Sequence, residues 1–136
     1  MASRTFNNGL NRIADSASHT AGYSATRFVQ TLSVDDSAIA FLATDTALNT
    51  GGAVTNEYDQ VLDATPTRTG QVVTHICTIP TGSGNFVVRR VALHDDAAAN
   101  VTTSSTTLVA GIDGQALTKT VDFTMAITVT LSYSNV

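Results

Sequence analysis

Residues 121–133 read VDFTMAITVTLSY, and every odd position is apolar: Val121, Phe123, Met125, Ile127, Val129, Leu131 and Tyr133. The even positions between them are Asp122, Thr124, Ala126, Thr128, Thr130 and Ser132. A strand turns successive side chains to opposite faces, so this alternation makes one greasy face and one wet face. A 3.6-residue period would smear the same apolar residues around a cylinder, which excludes a helix. At about 3.3 Å per residue such a strand reaches roughly 40 Å. Its apolar face demands a partner layer, and the expected one is a second sheet. The expectation is a mainly β chain, an antiparallel β-sandwich of jelly-roll-like type, with Phe123, Ile127 and Leu131 buried.

Charged residues make up only 13% of the 136 positions, about half the usual share, while Thr alone fills 23. Thr is β-branched and offers hydroxyls without charge, which suits strands. Two readings follow: a stable all-β domain, or a subunit whose surface is largely covered by neighbours. Net charge is −4, and among the seven basic residues only Arg89 and Arg90 are adjacent, so no nucleic-acid footprint is visible. The single cysteine, Cys77, excludes an internal disulfide and a multi-cysteine zinc site. The N-terminus MASRTFNNGLNRIADS lacks the apolar core of a secretion signal. The least charged stretch, 69–88, is too rich in Thr, Gly and Ser for a membrane span. Synthesis in a cytoplasm, with no membrane partner, is expected.

Two parts are expected, an N-terminal helix or arm over 1–22 and a single β-domain over 23–136. Phe6, Leu10 and Ile13, with Ala14, Ala17 and Ala21, are spaced for one helical face. Gly9 and several Asn and Ser weaken that helix, so it needs a surface to lie on, its own domain or a neighbouring subunit. RFVQTLSV (27–34) reads as a strand with Phe28, Leu32 and Val34 inward, ended by Asp35 and Asp36. Residues 37–43 fit strand or helix, 44–49 a helical turn capped by Thr44 or Asp45, and 55–63 strand or loop. QVVTHICTI (71–79), the Gly-rich PTGSGN (80–85) and FVVRRVAL (86–93) predict a hairpin. Its strands carry apolar pairs such as Val87–Val88, as strands covered on both faces do. A polar loop (94–105), a strand (106–112) and a turn at DGQ (113–115) lead into the long last strand.

Few residues nominate chemistry. His94, Asp95 and Asp96 could hold a divalent cation, but adjacent strand residues point different ways, and a loop turn is expected. TGSGN (81–85) lacks the following helix and Lys of a phosphate loop and reads as a turn. His75 and Cys77 share a strand face, either as a Cys–His nucleophile or, as expected, a buried thiol beside a hydrogen-bonded His. Asn100–Thr102 matches a glycosylation acceptor that no secretion signal would bring into use. Arg89 and Arg90 point to opposite faces, so at least one meets a covered surface. That arginine needs a carboxylate, from one of the eleven acids of the chain or from another subunit. No catalytic, metal or cofactor site is expected, and the candidate interaction residues are Phe6, Leu10, Ile13, Arg89 and Arg90.

TDTALNTGGAV (44–54), TGQVVTHICTIPTGSGNFVVRRVALHDD (69–96), and STTLVAGIDGQ with DFTMAITVTL (105–131) together resemble small virion structural proteins of tailed bacteriophages. The resembled arrangement is that of the tail-fibre and collar family, in which a D-T-A-L turn precedes a hairpin and an alternating strand closes the domain. Here RRVALHDD carries Arg and Val where that family has Glu and a small residue. The resemblance implies a non-enzymatic, repeated virion subunit. Within it, the short chain without shaft repeats or heptads favours a capsid decoration (cement) protein. A tail-fibre, collar or baseplate subunit is the alternative. A host-derived ligand-binding sandwich is the third reading, and an enzyme the last. The implied partners are further copies of the chain, as a homotrimer or homodimer, and the major capsid protein or other virion subunits.

Overall fold

The computed structural model describes residues 2–6, 29, 31–48, 54–64, 66–95 and 108–132. Ten strands run through them: β1 (Ala2–Thr5), β2 (Thr31–Asp35), β3 (Glu57–Val61), β4 (Thr67–Thr69), β5 (Val72–Ile79), β6 (Val87–Val88), β7 (Arg90–His94), β8 (Leu108–Asp113), β9 (Leu117–Thr118) and β10 (Met125–Ser132). No helix occurs among the described residues. One sheet has the order β1-β8-β7-β2-β3, a second β10-β5-β4, and β6 and β9 form a short ribbon. Every pairing is antiparallel. The fold is thus mainly β, with the two main sheets facing each other across one core.

That core follows from the alternation. Leu32 and Val34 of β2, Val91 and Leu93 of β7 and Ala110 of β8 meet Cys77 and Ile79 of β5 and Val129 of β10. The second face of the five-stranded sheet is covered as well. Residues 36–48 fold across it, and Phe41 and Leu48 join Phe6, Ala92 and Leu108 in a second cluster. The Phe6 and Phe41 rings meet edge to face, 5.2 Å between centroids. Gly111 lies directly beneath them. Being covered on both sides, β2 and β7 are buried at every position, although β2 (TLSVD) still alternates apolar residues toward the main core with polar ones on the other face.

Several expectations change. Residues 3–5 are strand, not helix, because β1 completes the edge beside β8; Leu10 and Ile13 lie outside the described residues. Phe6, just after β1, is fully buried in its own chain. The last strand begins only at Met125, since Phe123 N–H donates to Thr120 O in a turn, leaving Phe123 68% exposed. The 71–79 and 86–93 strands form no hairpin. Gly82 and Gly84, at positive φ, turn the chain out of one sheet and into the other. There β7 lies between β2 and β8, while β5 pairs with β10 over eight residues. Residues 44–48 form no helical turn: Asp45 closes a tight turn instead, its Oδ2 accepting Leu42 N–H at 2.8 Å.

A methyl on Gly111 would sit 2.7 Å from the Phe41 ring. Gly111→Ala should therefore destabilise the protein by about 1–3 kcal/mol through overpacking. Chemical denaturation checks this, with a Phe41→Leu background expected to relieve most of the loss.

Candidate functional site

The outward side chains of the five-stranded sheet assemble its polar chemistry. Asp35 pairs in register with Arg90 on one side and Glu57 on the other. One step past the Val91–Ile112 pair, Asp113 falls beside Arg90. Asp113, Arg90, Asp35 and Glu57 thus form a row across four strands. The next rung carries Ala92, Ser33 and Asp59.

Arg90 is 1% exposed. Its Nε donates to Asp35 Oδ1 at 2.9 Å and Oδ2 at 3.1 Å, and its NH2 to Oδ2 at 2.9 Å. The same guanidinium donates to the carbonyls of Leu48 at 2.7 Å and Ile39 at 3.4 Å, and lies 4.4 Å from the Phe41 ring centroid. Burial pushes the Asp35 carboxyl up, and the hydrogen bonds and charge of Arg90 offset this only in part. Asp113 Oδ2 accepts Phe41 N–H at 2.8 Å. Asp36 closes the neck of the covering segment, accepting from Asn56 N–H at 3.0 Å and Nδ2 at 2.6 Å. Its slight burial raises its pKa, but hydrogen bonds from Asn56 and Thr55 outweigh this and hold it below the usual carboxylate range.

At the free end of the row, Glu57 and Asp59 lie two apart on β3 and so share a face. Both are half-buried, and Glu57 Oε1 and Asp59 Oδ1 have no hydrogen-bond partner among the described residues. Burial pushes Glu57 up to about 8, reinforced by the charge of Asp59 and a hydrogen bond with it. Burial raises Asp59 to about 6, against the hydrogen bond from Glu57. The two carboxyls titrate as a pair, both raised above the ordinary carboxylate range by burial. The i, i+2 acidic spacing was visible in the sequence; the burial that perturbs it was not.

The other sequence candidates fall elsewhere. Arg89 is exposed, its backbone N–H donating to Asp35 O at 2.8 Å, while Arg90 takes a carboxylate of its own chain. His94 is buried, its Nε2 2.7 Å from Ser33 Oγ, and Asp95 is half-buried; Asp96 and Asn100–Thr102 lie outside the described residues. His75 and Cys77 both point inward from β5. Burial pushes the Cys77 thiol up to about 12 and the His75 imidazole down, which keeps both neutral and the thiol unreactive. Among the described residues no group of three or more His, Cys, Asp or Glu is placed to hold a metal ion. Two clefts of about 310 and 290 Å³ run along β10, and neither is lined by a titratable side chain. No family model, curated protein or solved structure matches the chain.

The raised values fix a pH dependence. The folded protein holds the two protons more tightly than the unfolded chain, so this stabilisation is complete below the ordinary values of 4.5 and 3.8 and is lost as pH rises through about 6 and 8. Thermal unfolding should show Tm falling from pH 5 to pH 8.5. Glu57→Gln, which cannot ionise, should flatten the upper part of that fall; an unchanged slope would remove the pair as its source.

Proposed function

We propose that the protein is a non-enzymatic structural subunit of a tailed-bacteriophage virion, a capsid decoration (cement) protein that sits as a homo-oligomer on the head shell. The observation that carries the reading is the outer face of the three-stranded sheet. Thr130 of β10, Thr74 of β5 and Thr67 of β4 pair in one rung, and Ser132, Val72 and Thr69 in another. Thr128 pairs with Ile76, which is exposed. None of these side chains carries charge, and hydroxyls and methyls alternate over three strands. A surface of this kind can be covered by another subunit with little desolvation cost, and its depleted charge is the signature of an interface centre. Many weakly attached copies on a regular shell gain avidity from their shared lattice. The virion resemblance of 44–54, 69–96 and 105–131 supports the same reading.

Electron microscopy of intact particles, with density assigned to this chain, tests the proposal. Density at symmetry-related positions over the whole head is the expected result. Density at the tail alone would replace it with the tail-fibre or collar reading, and absence from the particle would end it. Ile76→Glu should change stability by no more than about 0.5 kcal/mol, as exposed sites do, while weakening rebinding to particles stripped of the protein.

A further inference from the structure

The three-stranded sheet does not cover the five-stranded one. Among the described residues, its last strand, β10, has β5 on one side and no strand on the other. The inward side chains Met125, Ile127 and Leu131 are consequently only half-buried, although Val129 between them is buried. The two clefts run along this open side. One lies between Val129–Leu131 and the β8 residues Ala110 and Ile112; the other lies between Met125–Ile127 and Leu117. Together they form a largely apolar slot beside an edge that pairs with no other strand among the described residues.

Free edges are normally guarded by charge, proline or a bulge. Two of the other edges of the main sheets obey this rule: β3 contains Glu57 and Asp59, and β4 contains Arg68. β10, MAITVTLS, has none of these guards over eight residues. We propose that β10 is the self-association edge of the protein, pairing antiparallel with β10 of a second copy across a two-fold axis. The pairing deepens the homo-oligomer part of the reading above by naming its surface. A neutral strand lets two copies of net charge −4 meet without opposed charges at the seam. Its period of two is the same read in either direction, so a two-fold centred on Thr128 sets apolar against apolar on the inner face (Ile127 against Val129, Met125 against Leu131) and Thr and Ala against each other on the outer face. The inward side chains of each copy then enter the slot of the other. The result is one continuous six-stranded sheet, closed by symmetry rather than growing into a fibre.

The experiment is sedimentation of the full chain, in solution and without particles, against Thr128→Lys and Ile76→Glu. Thr128 is exposed on the outer face and sits at the seam; Ile76 lies one strand further in. The wild type and Ile76→Glu should be dimers. Thr128→Lys should be a monomer with an unchanged circular dichroism spectrum, because it sets lysines against each other. Mixing Thr128→Lys with Thr128→Glu should restore a dimer. A monomeric wild type at every concentration, a Thr128→Lys dimer, or loss of association in Ile76→Glu alone would each overturn the proposal. Since no particle is involved, the result stands apart from attachment to a head.

Discussion

The ion pair between Arg90 and Asp35 is the interaction on which the remaining architecture depends. Taking a guanidinium and a carboxylate out of water costs several kcal/mol per ion. Here the cost is offset by filling the directional donors of the arginine: Asp35 takes three of the contacts, Leu48 and Ile39 supply carbonyls, and Phe41 supplies a ring face. Two of these partners are backbone atoms of the segment that covers the sheet. The arginine therefore fastens that segment while neutralising the strand beside it. Removing one member of such a buried pair typically costs about 3–5 kcal/mol, since the other is left charged and unpaired.

This fastening gives the two sheets different characters. The five-stranded sheet is packed on both faces, with the main core on one side and the Phe6–Phe41–Leu48 cluster on the other. The three-stranded sheet packs its inner face on the main core, and Thr67, Thr69, Thr128 and Thr130 of its other face are exposed. Charge follows the same division. The buried acids and Arg90 lie on the covered sheet, while the outer face of the open sheet presents mainly hydroxyls and methyls, with Asp63 held at Thr78. In the proposed reading the first sheet is the frame and the second is the surface that meets other subunits.

Legibility in the sequence follows the same line. β10 was readable because one face is buried and the other wet, so burial is written into alternate letters. The reading overran at Val121 and Phe123, where the alternation continues through a turn set by a backbone hydrogen bond. The opposite orientations of Arg89 and Arg90 were readable from strand geometry. The identity of Asp35 as partner was not, because a pairing across 55 residues depends on register. For the same reason the two strands flanking TGSGN read as a hairpin: a Gly-rich turn reports a reversal but not which sheet the chain enters next. Glu57 and Asp59 were visible as two acids at strand spacing, whereas the burial that raises both carboxyls depends on how β3 packs.

Native-state hydrogen exchange on Arg90→Lys, compared with the wild type, tests most directly whether the arginine fastens the covering segment. Lysine keeps the charge but loses the two-pronged geometry and the carbonyl contacts. The account predicts that the amides of Phe41 and Leu42, which donate to Asp113 and Asp45, lose protection strongly while those of β5 and β10 keep most of theirs. Unchanged protection at Phe41 and Leu42 would contradict it.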